Sequence, residues 1–364
     1  MKNKFIKIFT ILSLIIAITT GCYAFSFRNM TLDFIHISDT HITDRMSTSY
    51  KELGHSKELL TDAVEQINNI VGLDFVLFGG DMVDSATDEN FYNFYKIISK
   101  LKYPSLNAFG NHEYYGNKTK EEVINTIKEY NPNYMFDDTY YAFSPKTDYR
   151  IIVLDANTED NKTSKGELSK EQLDFLDNEL FENQDKVIII AMHHAAVEPF
   201  VAKEHAITNA KDFTDILVKY KNPIVVLSGH YHATKIRRIG NLLFVSTPSL
   251  VTYPMAFRHI KITNYKDRVV YNFDFHETNL KDVKEQNRQN VISYATLAGL
   301  EKDKNTQFVF NKKHSKSIRY KKNKIKKIEQ ETKTSKKEIK KLTKPKKQKT
   351  IKVKNKKTKK VTPQ

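Results

Sequence analysis

Seven side chains of metal-binding type fall into five short clusters: Asp39 with His41, Asp81, Asn111, His193, and His230 with His232. Two of the clusters are pairs separated by one residue. Residues i and i+2 of an extended segment point the same way, so each pair is expected to grip an ion from one side. Carboxylate, imidazole and amide donors without sulfur suit Mn, Fe, Zn or related divalent ions. The only cysteine, Cys22, excludes both an intrachain disulfide and a multi-thiolate site. Two such ions about 3.5–4 Å apart would clamp the attacking and leaving oxygens of an in-line displacement at phosphorus, with a bridging water acidified into a nucleophile. The chemistry expected of this donor set is hydrolysis.

Each cluster follows an apolar run of strand length. Leu32 to Ile37 precedes Asp39, Phe75 to Phe78 precedes Asp81, and Leu106 to Phe109 precedes Asn111. Val187 to Met192 leads into His193, and Ile224 to Leu227 into His230; Ile151 to Leu154 is a further run. Helical patterns lie between them, at Leu60, Val64, Ile67 and Val71, and at Leu173, Leu176 and Leu180 with Ser169 as N-cap. This alternation argues for α/β layering, in which the carboxyl ends of strands line one crevice. Gly79, Gly80, Gly110 and Gly229 sit where backbone must pass close to the ions. After Gly240, the runs Leu242 to Val245, His259 to Ile262 and Val269 to Phe273 are expected to complete a second sheet. A single histidine after a strand is more often a hydrogen-bonded structural residue than a ligand. Five clusters in one context are not explained that way.

The ordered series Asp39-Thr40-His41, Gly80-Asp81-Met82-Val83-Asp84, Gly110-Asn111-His112-Glu113, His193-His194 and Gly229-His230-Tyr231-His232 resembles the calcineurin-like metallophosphoesterase family. The resemblance covers Thr31 to Phe275. It implies an α/β fold, a four-layer α/β/β/α sandwich with a dinuclear metal site at the strand C-terminal ends. One ion would take Asp39, His41, Asp81 and His232, the other Asp81, Asn111, His193 and His230, with Asp81 bridging. His112 would be the non-ligand histidine that stabilises charge or protonates the leaving oxygen, and Asp84 the carboxylate that orients it. Taken alone, Asp84 reads equally as a helix N-terminal residue. On spacing alone His194 competes with His193; alignment to the family favours His193, which directly ends the apolar strand. Ala195 and Ala196 replace the proline of many relatives, and Asp84 stands where purple acid phosphatases carry a metal-binding tyrosine, so a tyrosinate–iron site is not expected. Tyr114, Tyr115, His55, His205 and His259 are read as structural.

The segment from Ser246-Thr247-Pro248-Ser249-Leu250 to Arg258 resembles the phosphodiesterase-like branch, which favours diesters among phosphate-ester substrates. The alternatives are a phosphomonoesterase of the same fold and a surface-attached polyanion-binding scaffold with a degenerate site. Filled positions throughout the ligand series favour the enzyme.

Charge is segregated along the 364 residues. Asn311–Gln364 holds 24 Lys and Arg against 3 Glu, more than the whole chain's net +16, so the remainder is mildly acidic. Too few apolar residues accompany the lysines for a packed core, so this tail is expected to be disordered and to attract a polyanion: anionic lipid, wall polymer or nucleic acid. Its one aromatic, Tyr320, disfavours base stacking. At the other end, Lys2, Lys4 and Lys7 precede an apolar stretch from Ile8 to Ile18, the pattern of an export signal. Thr19-Thr20-Gly21-Cys22 resembles a lipoprotein box; cleavage after Ala24 and an uncleaved anchor are the other outcomes. The organisation expected is a leader over 1–24, a metallophosphoesterase domain over 25–280, a helical or linker extension over 281–310 and the tail over 311–364.

Overall fold

The computed structural model describes residues 30–312, apart from 49, 117, 159–163, 203 and 204. The leader, Cys22 and the tail beyond residue 312 lie outside the described residues.

Among the described residues, two six-stranded sheets form the fold. The first contains β1 (Thr31–Ile37), β2 (Phe75–Gly79), β3 (Ser105–Ala108), β10 (Ala256–Asn264), β11 (Arg268–Glu277) and β12 (Thr306–Asn311), in the order β12-β11-β10-β1-β2-β3. The second contains β4 (Tyr141–Phe143), β5 (Tyr149–Val153), β6 (Val187–Ala191), β7 (Ile224–Ser228), β8 (Lys235–Ile239) and β9 (Leu242–Ser246), in the order β4-β5-β6-β7-β9-β8. Strands β1, β2 and β3 run parallel, as do β5, β6, β7 and β9. Helices α1 (Ser56–Asn68), α2 (Asp88–Ile98), α3 (Lys120–Tyr130), α4 (Lys170–Glu182) and α5 (Ala210–Leu217) connect strands, and α6 (Lys281–Asn290) and α7 (Tyr294–Ala298) follow β11.

Side-chain parity builds the layers. Ile151, Val153, Val187, Ile189, Val225 and Leu227 join the core shared with the first sheet and α1 to α3. Their neighbours Ile152, Ile188, Ile190, Ile224 and Val226 join a separate cluster with Leu176 and Leu180 of α4 and Phe213 and Leu217 of α5. Strands apolar on both faces, as β5 to β7 are, must be covered on both faces, and the helix/sheet/sheet/helix sandwich follows. On α1, Leu59, Leu60, Ala63, Val64 and Ile67 form the buried stripe. Each Leu, Val or Ile buried there contributes about 1.5–3 kcal/mol. Val71, expected to extend that stripe, lies past the helix end and is 92% exposed; Asn69 and Ile70 close the helix with bonds to Gln66 and Ile67, and Gly72 turns at φ 90°. Ser169 caps α4 as expected, its Oγ accepting the Gln172 N–H at 3.3 Å.

The late strands divide differently from expectation. Leu242–Ser246 joins the second sheet beside β7, whereas β10 and β11 join the first. Strand β1 pairs with β2 on one side only, and the β10–β11 hairpin takes its open edge in antiparallel register. Strand β12 extends that sheet from the stretch that reads as a helical or linker extension.

Candidate metal centre

Four of the five clusters converge in the cleft between the two sheets, and the fifth, Asn111, follows Gly110, which packs against Asp81. Asp39, Asp81 and Asn111 come from the carboxyl ends of β1, β2 and β3, and His193, His230 and His232 from those of β6 and β7. Two sets of side chains bring one donor atom each within 4.8 Å of one another: Asp39, His41 and His232, and Asp81, His193 and His230. A third set, His41, Asp81 and His112, shares members with both. His193 Nε2 lies 3.1 Å from Asp81 Oδ2, His232 Nε2 lies 3.2 Å from Asp39 Oδ1, and His41 Nε2 lies 3.6 Å from Asp81 Oδ2.

In nearly every case the second polar atom of the side chain is tied down. His193 Nδ1 donates to Gly79 O at 2.8 Å, His230 Nε2 to Ser164 O at 2.8 Å, and His232 Nδ1 lies 2.9 Å from Thr252 Oγ1. Asn111 Nδ2 donates to Tyr115 OH at 2.8 Å. Such bonds fix the tautomer and turn the free atom toward the cleft. Two of these free atoms, His41 Nε2 and Asn111 Oδ1, are buried with no hydrogen-bond partner. His230 Nδ1 and His193 Nε2 face each other at 3.2 Å, each with its other nitrogen already donating, so a cation or a proton must separate their lone pairs. Buried acceptors left unpaired are costly, and a divalent ion supplies what each of them lacks. The residues present fit the metal centre.

The electrostatics agree. Burial pulls His193 down, yet the Asp81 and Asp39 carboxylates hold it up to about 10. Burial also works against ionising Asp39 and Asp81, but the surrounding histidines keep both below the ordinary carboxylate value. The cleft attracts positive charge. His194 is fully buried and burial pushes it down to about 3; its ring lies 4.5 Å from that of His230, and it belongs to none of the three donor sets, whereas His193 does.

The paired ligands are not placed by extended alternation. Asp39, His41, Asp81, His230 and His232 have φ of 54°, 42°, 50°, 65° and 52°, in the left-handed region. Non-glycine residues there are strained by about 1–3 kcal/mol each, and such strain concentrates at functional sites. Backbone bonds hold the kinks: Asp39 N–H to Gly80 O and His41 N–H to Asp81 O, both 3.0 Å. A Cβ on Gly80, itself at φ 92°, would stand 2.6 Å from His193 Nδ1.

His112 lies beside these donors, its Nε2 3.9 Å from Asp81 Oδ2. Asp84 holds it through the backbone: His112 Nδ1 donates to Asp84 O at 2.6 Å, whereas the carboxylate Oδ1 is 3.7 Å away and Oδ2 accepts from Arg45 Nη1 at 2.9 Å. Three contributors escape the spacing argument. The Glu113 carboxyl accepts N–H bonds from Gly110, Asp81, Met82 and Val83 at 2.7, 2.9, 2.6 and 3.3 Å, clamping the third cluster to the second. Lys51 reaches into the cleft from the loop after β1, and the Tyr50 ring stacks on His232 with centroids 5.3 Å apart. No regular spacing marks that polar loop. Of the residues read as structural, Tyr115 holds Asn111, and His205 packs 5.2 Å from the His230 ring.

Residues 32–234, which contain every motif, match the family model described as calcineurin-like phosphoesterase. The chain belongs to that family. Family membership makes it a hydrolase of phosphoric ester bonds that uses divalent metal. It is similar to a probable glycerophosphodiester phosphodiesterase of Arcobacter nitrofigilis, 26% identical over 61% of this chain and 79% of that protein. It is also similar to a manganese-dependent ADP-ribose/CDP-alcohol diphosphatase of Arabidopsis thaliana, 27% identical over 48% of this chain and 70% of that one. The crystal structure of a dimetal phosphatase from Danio rerio superposes with a TM-score of 0.54 at 17% identity, over 68% of this chain and 99% of that chain, and so shares the fold.

Proposed function

We propose that the protein is an exported phosphodiesterase that works with two divalent ions, Mn, Fe or Zn. Asp39, His41, Asp81 and His232 hold one ion, and Asp81, Asn111, His193 and His230 the other. The observation that carries this reading is the convergence of buried donors, with His41 Nε2 and Asn111 Oδ1 left without a hydrogen-bond partner. When bound, the ions supply a Lewis acid for the phosphoryl oxygen and an acidified water. The chain's own part is orientation and proton delivery. With Nδ1 donating to Asp84 O, His112 presents Nε2 to the cleft, where it can hand a proton to the departing ester oxygen.

The diester preference is supported by the resemblance of the segment after His232 to the phosphodiesterase-like branch and by the diester and diphosphate activities in the names of the two relatives. Export rests on the leader, and attachment on Cys22 or an uncleaved anchor; a Cys22→Ser chain that stays in the membrane fraction argues against lipidation. The Lys-rich tail is read as the contact to a polyanion.

The test of substrate class is hydrolysis of bis-p-nitrophenyl phosphate against p-nitrophenyl phosphate by protein stripped of metal and resupplied with manganese. Metal-dependent turnover favouring the diester is expected. Preference for the monoester makes the protein a phosphatase instead.

A further inference from the structure

The loop between β1 and α1 brings a cation into the cleft, beside one metal donor and His112, that no carboxylate pairs with among the described residues. Lys51 Nζ lies 3.4 Å from His41 Nδ1 and 3.5 Å from His112 Nε2. The residue is half-buried, and among the described residues its ammonium forms no ion pair with a carboxylate. The acidic groups around it are engaged elsewhere: Asp84 by Arg45 at 2.9 Å, Asp39 by His232 at 3.2 Å and Asp81 by His193 at 3.1 Å. Burial penalises the Lys51 ammonium, against the favourable fields of Asp81, Asp84 and Asp39. A desolvated cation with no counter-ion of its own interacts strongly with an anion that docks beside it.

Its base is fixed. Lys51 N–H donates to Thr48 Oγ1 at 3.0 Å, Thr48 N–H to Lys51 O at 2.9 Å, and Glu52 N–H to Val251 O at 2.8 Å. Asn287 Nδ2 of α6 bonds Tyr50 O at 3.3 Å and Glu52 Oε1 at 3.2 Å. With Tyr50 stacked on His232, both sides of Lys51 in the chain are anchored, and its side chain extends inward between them. The ammonium stands next to His112 Nε2, the atom from which a proton would reach the leaving oxygen.

We propose that Lys51 is a substrate-binding residue whose ammonium takes a non-bridging oxygen of the substrate phosphoryl group on the His112 side of the cleft. This rests on the phosphoesterase reading of the same site. Three N–H donors on a compact ammonium suit a phosphoryl oxygen as a point-charge contact, with no need for a planar fork. The other role open to such a lysine is structural, holding the imidazoles of His41 and His112 in place.

The test compares full-length wild-type, Lys51→Met and Lys51→Arg proteins loaded with manganese. Bound manganese is measured by elemental analysis, inorganic phosphate binding by calorimetry, and turnover on bis-p-nitrophenyl phosphate by steady-state kinetics. Lys51→Met is expected to keep its manganese and to weaken phosphate binding about 10- to 100-fold, as loss of a charge-assisted hydrogen bond does. kcat/KM should fall in parallel, and Lys51→Arg should recover part of both. Unchanged phosphate affinity in Lys51→Met overturns the assignment, and so does loss of manganese from that variant, which makes the role structural. Failure of the underlying reading looks different: wild-type protein binds phosphate through Lys51 but turns over no phosphoric ester.

Discussion

In the proposed centre Asp81 would be the carboxylate shared between two ions, and such a carboxylate must stay fixed. Asp81 meets that requirement: Oδ1 accepts the His112 N–H at 2.9 Å, Oδ2 faces His193 and His41, and its own N–H donates to Glu113. The division of labour between ligand and proton donor can be separated by substitution. His112→Ala is expected to keep its metal yet lose about 10²- to 10⁴-fold in kcat, the range for removing a general acid. Metal lost together with rate would make His112 a ligand, as its grouping with His41 and Asp81 allows. Glu113 is the hidden support. Burial and the Asp81 charge push its carboxyl up to about 8, against the backbone N–H donors that favour the ionised form. Glu113→Gln puts an amide N–H where two backbone N–H groups seek an acceptor, so one or more buried donors is left unpaired. A loss of about 1–3 kcal/mol in urea denaturation is expected; unchanged stability would show that the two loops hold themselves.

At the scale of elements, legibility in the sequence followed apolar density. Leu32 to Ile37, Val187 to Met192 and Ile224 to Leu227 announce β1, β6 and β7 because strands covered on both faces read as unbroken apolar runs. Strands covered on one face or very short do not: β8 reads Lys-Ile-Arg-Arg-Ile, β4 has three residues, and β12 alternates Gln307, Phe308, Val309 and Phe310 among polar neighbours. The His and Asp clusters that the fold brings together were legible from their place after strands, and His112 from the family resemblance alone. The left-handed kinks at Asp39, His41, Asp81, His230 and His232 were not, since local preference opposes them and only tertiary bonds impose them. Lys51 was invisible for a related reason: its role depends on where a polar loop folds back. Strand β12 gives a test at this scale. Phe310 is 6% exposed and meets Tyr271 edge-on at 5.5 Å, so Phe310→Ala should destabilise the protein by about 3 kcal/mol, at the low end for buried aromatics because β12 is an edge strand. A shift near zero in chemical denaturation would mean that β12 only decorates the sheet.

For the whole molecule, charge and catalysis occupy different parts of the chain. The basic residues concentrate beyond Asn311, whereas the two-sheet body that carries the cleft is mildly acidic. If the tail is an electrostatic anchor, a chain ending at Lys312 keeps β12 intact and its turnover of a small soluble diester, but loses binding to anionic vesicles. For the full chain, that binding should weaken as salt rises toward the point where the Debye length shrinks to about 3 Å at 1 M. Vesicle binding that survives truncation would place the contact on the body. The central claim, two ions on one bridging carboxylate, is tested most directly by titrating manganese into metal-free wild-type and Asp81→Asn proteins while recording bound ions per chain and diester hydrolysis. Wild type should take up two ions, with activity appearing as the pair fills, and Asp81→Asn should lose ions and activity together. Full activity in metal-free protein, or full metal and full activity in Asp81→Asn, would contradict it.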